Sequence, residues 1–271
     1  MALLNAIIFG LVQGVTEFLP VSSSGHLLVL HRLLSLPIKD DVAFDVALHL
    51  ATFVAILWFF RKEVIGLAQG FFGSFKDMPK GFNHQSWLII GATIPAGLAG
   101  VLWEDKIESV LRSPLIVALM LVLIGLLFII VENTGKQLLD DKDISWGKAM
   151  AIGCSQVVAL IPGTSRSGIT TISGMALDLK REAAVRFSFL LSLPIVAGAA
   201  LKKVPYLISA GLNGQEWLVL AIAFVAAVAS GAWAIAFLLR FTAKNSLRAF
   251  AYYRFAFASV ILLLYLFKIL S

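Results

Sequence analysis

Two short polar stretches interrupt an otherwise apolar chain, and both carry residues able to handle a phosphate. The first, TEFLPVSSSGH over residues 16–26, holds Glu17, Ser22, Ser23, Ser24, Gly25 and His26. The second, IPGTSRSGITT over 161–171, holds Gly163, Ser165, Arg166, Ser167, Gly168 and Thr170. A guanidinium is a planar fork of donors that matches phosphate oxygens. Serine hydroxyls and the free amides at a helix start add further donors. Gly25, Gly163 and Gly168 permit close backbone approach. Glu17 beside such an anion pocket predicts a divalent cation, Mg²⁺ or Ca²⁺, bridging its carboxylate to a phosphate. The simpler alternative is a Glu17–Arg166 ion pair. His26 falls in the first turn after its tip, with a nitrogen free to serve as base or nucleophile; the alternative is a buried, hydrogen-bonded histidine. Each serine taken singly also fits a helix cap. His31, His49 and His84 have no comparable company and read as structural.

The elements that must hold these groups follow from composition. The chain of 271 residues is 59% hydrophobic and 14% charged, whereas a soluble domain carries roughly a quarter charged residues. Most of its surface must therefore face lipid, in an all-α integral membrane protein. Residues 1–20 lack the basic start and small-residue cleavage site of a signal peptide and are expected to be retained. A single cysteine, Cys154, excludes an intrachain disulfide, and no Cys/His spacing suits zinc. The net charge of +6 lies between apolar runs, which fits lipid headgroups rather than nucleic acid. No Walker loop is present. GTSRSG lacks the second glycine of a nucleophile elbow, since Ser167 stands there.

Six runs, about 44–60, 87–103, 114–131, 186–201, 217–239 and 249–269, are long enough to serve as transmembrane helices. Two more, about 2–36 and 146–179, are broken at the polar clusters and read as re-entrant helical hairpins, the alternative being spans kinked at Pro20 or Pro162. A shift of 143 residues superposes Gly10 on Gly153, Gln13 on Gln156, Ser22 on Ser165, Ser24 on Ser167, Gly25 on Gly168 and Phe44 on Phe187. One polytopic domain, 1–271, thus contains repeats of about 1–132 and 145–271. Each repeat is a hairpin plus three spans, an odd number, so the repeats are expected to have inverted topology with their tips meeting near the midplane. The repeat fails where chemistry is expected: Glu17 pairs with Leu160, His26 with Ile169, and Arg166 with Ser23. That asymmetry predicts one composite site in which Glu17, His26 and Arg166 share a cavity. Lys and Arg divide fourteen to seven between the faces, with Arg254 counted on the richer one. The richer face should be cytoplasmic and the first hairpin should open outward.

The stretches Gln13–His26 (QGVTEFLPVSSSGH) and Pro162–Thr170 (PGTSRSGIT), together with FSFLLSLP at 187–194, resemble the bacterial undecaprenyl-diphosphate phosphatase family of the bacitracin-resistance type. The resemblance covers essentially the full length. It implies hydrolysis of undecaprenyl diphosphate to the monophosphate and inorganic phosphate, which recycles the lipid carrier for peptidoglycan and other cell-wall polymers. It also implies a divalent-metal requirement, with Glu17 a ligand, and a site facing outside the bacterial plasma (inner) membrane. By carry-over Glu17, His26, Ser23 and Arg166 are catalytic candidates, with Ser23 and His26 rival nucleophiles. Gln13, Ser22, Ser24, Gly25, Gly163, Ser165, Ser167 and Thr170 are substrate-binding candidates. Gln13 stands where the motif also admits Glu. The partners so implied are a long-chain polyprenyl diphosphate and membrane lipid, with a homodimer left open and nucleic acid excluded. A lipid-phosphate transporter or flippase is the alternative, because inverted repeats are the usual build of such proteins.

Overall fold

The computed structural model describes residues 1–73, 80–111 and 113–270, without the side chains of 80–83, 104–106, 108 and 109. Of the Lys and Arg counted on the two faces, Lys76 and Arg112 lie outside the described residues, and only the backbone of Lys80 and Lys106 is described. Among those described there are eleven α-helices and no strand. Six are long and apolar enough to cross a membrane: α3 (Asp41–Phe59), α5 (Lys80–Leu111), α6 (Pro114–Thr134), α9 (Arg181–Ser209), α10 (Gly214–Thr242) and α11 (Arg248–Leu266). Large apolar side chains such as Val101, Leu119, Val225 and Trp233 stay exposed along them. Water would penalise that surface and lipid does not; this is a multi-pass membrane protein.

Each expected run corresponds to one of these helices, although α3 and α11 stop before the ends expected at 60 and 269. The larger differences are α5, with 32 residues, and α9, whose 29 residues continue through Pro194 and Pro205. A helix the sequence reading lacked, α4 (Arg61–Gly73), follows α3 directly.

The remaining helices form two broken pairs. In the first, α1 (Ala2–Phe18) ends before Pro20, and α2 (Ser23–Leu33) starts at the serines. In the second, α7 (Trp146–Ser155) tightens into a 3₁₀ turn at Gln156–Leu160, and α8 (Arg166–Ala176) starts at the arginine. Both restarts have the same geometry. Ser22 has φ 75° and Ser165 φ 71°, a left-handed backbone that costs a residue with a Cβ on the order of 1–3 kcal/mol. Each hydroxyl offsets part of that cost by accepting the amide three residues on: Gly25 N–H to Ser22 at 3.4 Å and Gly168 N–H to Ser165 at 3.2 Å.

Small residues seat the broken pairs. A Cβ on Gly10 would lie 2.2 Å from the Ala223 carbonyl of α10, and one on Gly153 would lie 2.1 Å from the Ala92 carbonyl of α5. Such contacts let backbones meet where lipid supplies no hydrophobic drive between helices. A buried cluster including Phe18, Phe60, Phe128, Phe187 and Phe189 fills the interior around the tips.

Candidate active site

The two tips are bound to one residue, Arg254 of α11. It is fully buried, and its guanidinium donates to five carbonyls: Pro20 (3.1 Å) at the first tip, Gly163 (2.9 Å) and Thr164 (3.0 Å) at the second, and Met120 and Leu121 of α6. Burying a charge without such partners would cost several kcal/mol or more. Gly163, at φ +93°, presses so closely on the Val117 carbonyl that a Cβ would stand 2.6 Å away. Its N–H donates to Ser24 Oγ at 3.2 Å, joining the tips directly. The placement of Arg254 among the charges of the richer face is thereby corrected. Without it, and counting only residues whose side chains are described, the expected division is eleven against five.

At this junction four side chains converge on Glu17, in the last turn of α1. Arg166 Nη2 donates to Oε1 at 3.1 Å, across 149 residues of chain. Ser23 Oγ donates to Oε2 at 2.7 Å, and Gln13 Nε2 donates to the same oxygen at 3.2 Å. His49 Nδ1 is 3.7 Å from Oε2 and 3.2 Å from Gln13 Nε2. The Glu17–Arg166 ion pair, the simpler alternative for these two residues, is present between the tips, and the carboxylate also receives a hydroxyl proton donor. A cavity of about 380 Å³ opens over the junction, lined by Ser24, Pro162, Arg166 and His49, and further along by His31, Asp45 and Lys203. Its walls are apolar, including Leu27, Leu28, Val46, Ile195, Val196 and Ala199. A polar floor under apolar walls suits a lipid with a charged head.

His26 is not in this group. The α2 residues that line the cavity are Ser24, Leu27, Leu28 and His31, one helical face. His26 lies on the other side, where its ring stacks on Phe257 with centroids 4.0 Å apart. Nδ1 is 2.7 Å from the Ser22 carbonyl, which can only accept, so Nδ1 carries the proton. Nε2 then accepts from the Tyr253 hydroxyl at 2.7 Å. The geometry thus departs from the expectation of one cavity shared by His26 and Arg166, because helical periodicity separates position 26 from position 24.

The other candidates divide similarly. Ser22 and Ser165 are helix caps whose hydroxyls also meet Ser24 and Ser167. Ser167 is buried against the Glu17 and Leu19 carbonyls at 3.5 and 3.4 Å. Thr170 is buried, donates to the Arg166 carbonyl at 2.8 Å and meets Ser188 Oγ at 2.6 Å, so its hydroxyl is used inside the protein. Gly25 and Gly168 give close packing, against Val117 and Ser165 respectively.

No cluster of three His, Cys, Asp or Glu residues able to hold a metal occurs among the described residues. A hard cation could still use oxygen ligands of mixed origin. Gln13 turns its nitrogen toward Glu17 and leaves Oε1 buried with no partner. An orphaned amide oxygen one helical turn from a carboxylate fits such an ion.

Sequence reasoning passed over Arg254 and His49. Each had a signal, namely a charged or titratable side chain inside an apolar run. Arg254 was read as a loop charge because it lies near the start of its run, and His49 because a lone histidine in a helix is ordinarily structural.

The chain matches the family model described as bacitracin resistance protein BacA over residues 6–260. It is 43% identical over 263 residues to a Rubrobacter xylanophilus protein named undecaprenyl-diphosphatase, covering 96% of this chain and 97% of that one. A protein of the same name from Trichlorobacter lovleyi is 46% identical over 258 residues, 94% of each chain. One from Stutzerimonas stutzeri, named undecaprenyl-diphosphatase 2, is 40% identical over 98% of this chain and 99% of its own.

Proposed function

The chain belongs to the family of the bacitracin resistance protein BacA, and from that premise we propose that it is the phosphatase its relatives are named for. It hydrolyses undecaprenyl diphosphate to undecaprenyl phosphate and inorganic phosphate. The product is the lipid carrier on which peptidoglycan and other cell-wall polymers are built, and its regeneration underlies bacitracin resistance.

The observation that carries the reaction is the Ser23–Glu17–Arg166 array, with its 2.7 and 3.1 Å contacts, whose Arg166 member lines a cavity with apolar walls. Ser23 Oγ attacks the terminal phosphorus while Glu17 takes its proton. The bond to the bridging oxygen breaks, and undecaprenyl phosphate leaves with those electrons. Water then cleaves the phosphoserine, restoring the hydroxyl and releasing inorganic phosphate. Arg166 spreads its fork over the phosphoryl oxygens, where charge develops. His26, with both ring nitrogens engaged, holds the Ser22 carbonyl and so the turn that aims Ser23. A divalent cation, Mg²⁺ or Ca²⁺, would be held by Glu17 and Gln13 with diphosphate oxygens. When bound it would neutralise phosphate charge and polarise the anhydride.

The broken pairs are re-entrant hairpins in an inverted repeat. Supporting this, Asn5 Nδ2 donates to the Ser35 carbonyl at 2.8 Å, tying the outer ends of α1 and α2 together. Leu139 N–H donates to the Asp178 carbonyl at 3.0 Å and Lys180 N–H to the Leu139 carbonyl at 2.9 Å, tying the flanks of α7 and α8. The 11-residue helices α2 and α8 are about 16 Å long, half of a bilayer core of roughly 30 Å. Contact is also exchanged between repeats, with Gly10 of the first meeting α10 of the second and Gly153 of the second meeting α5 of the first. The cavity opens on the face poorer in Lys and Arg, the outer face of the inner membrane.

Phosphate release by the purified protein in detergent is the direct test. We expect release from undecaprenyl diphosphate with a divalent cation and its loss on exhaustive chelation. Binding of the lipid without any release would favour the transporter instead.

A further inference from the structure

We infer that His49 is a substrate-binding residue of this site, whose Nε2–H donates to an oxygen of the bound diphosphate. The inference rests on the phosphatase reading for the identity of its ligand.

The proton's position follows from the neighbours. Gln13 presents Nε2 to Glu17 Oε2 at 3.2 Å, and an amide group facing a carboxylate must do so with its nitrogen. The same nitrogen stands 3.2 Å from His49 Nδ1. Its two protons therefore serve the carboxylate and the imidazole, Nδ1 is an acceptor, and the ring proton sits on Nε2. No described residue takes that proton. The side chain is 51% exposed although Ala47, Leu48 and Ala51 beside it are buried, and His49 lines the cavity with Arg166. Glu17 on α1 is 3.7 Å from it and is paired with Arg166 of α8; the cavity it lines also holds Lys203 of α9 and Asp45, one turn earlier on α3, whose carboxylate is engaged by His31 at 2.9 Å.

The repeat supplies a second, independent sign. The 143-residue shift places His49 on Ser192, which is buried and donates to the Phe189 carbonyl at 2.6 Å. His49 thus joins Glu17, Ser23 and His26 among the positions where the first repeat departs from the second. A helix position serving only packing has no reason to carry an imidazole half open to a cavity.

Three substitutions separate the cavity donor from the Gln13 contact. The Gln amide of His49→Gln reaches about as far as Nε2, the Asn amide of His49→Asn only about as far as Nδ1, and His49→Leu offers neither. We expect His49→Leu and His49→Asn to weaken affinity for undecaprenyl diphosphate about ten- to hundredfold, the loss of one hydrogen bond to a charged group. KM should rise in step, and His49→Gln should restore most of the affinity. Thermal unfolding midpoints confirm that each variant is folded. Unchanged affinity in His49→Leu, or rescue by Asn and not Gln, would overturn the inference in favour of a residue that only steadies Gln13. A wild-type protein that binds the lipid but releases no phosphate would instead sink the phosphatase reading, and the same affinities would still test the donor.

Discussion

Glu17 stands between a hydroxyl proton that it can accept and a guanidinium that neutralises its charge, and the two contacts use different oxygens. Glu17→Gln preserves shape but leaves a group that cannot take a proton. Phosphate release should fall about 10²–10⁴-fold, the usual contribution of a positioned base, with substrate still bound. Arg166→Lys keeps the charge and loses the fork, since one ammonium cannot span both Glu17 and the phosphoryl oxygens. We expect a loss of roughly 2–4 kcal/mol of transition-state stabilisation, read as the fall in kcat/KM. Near-native turnover in either variant would remove that residue from the chemistry. Ser23, Glu17 and Arg166 were legible in the sequence because residue type and motif spacing carry them without knowledge of the fold. The partition of α2 into a cavity face and a Phe257 face was not legible to the same degree. It depends on which helix packs on each side, and only tertiary contacts decide that.

At the scale of elements, the site depends on how rigidly two broken helices are seated. α1 lies against α10 through Gly10 and Gly14, where Cβ atoms would stand 2.2 Å from the Ala223 carbonyl and 2.1 Å from Ser230 Oγ. The obstacle at Gly10 is backbone, which cannot rotate aside. Gly10→Val should therefore push α1 off α10, destabilise by about 1–3 kcal/mol or more, and displace Glu17 from Arg166. A lowered thermal unfolding midpoint in detergent together with lost turnover is the expected result. A variant as stable as wild type would mean that the contact is slack. The sequence placed both breaks correctly because Pro and serine-glycine runs punctuate helices locally. It could not supply Arg254, whose partners are backbone carbonyls from three distant segments. Carbonyl positions leave no mark in residue type. The same limit hid α4, a helix of mixed polarity whose seat is provided by its neighbours.

For the whole molecule, the question is which face the cavity serves. Its mouth lies toward the end where the α2–α3 connection meets α9 and α10, through Tyr206 to Asp40 at 2.5 Å and Lys39 N–H to Glu216 at 3.1 Å. Those bonds fix residues 35–40 and the start of α10 at one level, with the end of α10 some 43 Å away for 29 helical residues. The cavity that leads to the tips is lined at that first level by Val42, Lys203 and Val204. Among the described side chains, eleven Lys and Arg against five, the excess lying at the far level, would keep that far level cytoplasmic. The single cysteine makes the test clean. In a Cys154→Ala background, Ser35→Cys and Ala243→Cys place one exposed thiol at each level. We expect a membrane-impermeant maleimide to label Ser35→Cys in intact spheroplasts and Ala243→Cys only after lysis. The reverse pattern would put the cavity on the cytoplasmic side, and the enzyme would then draw on diphosphate of the inner leaflet.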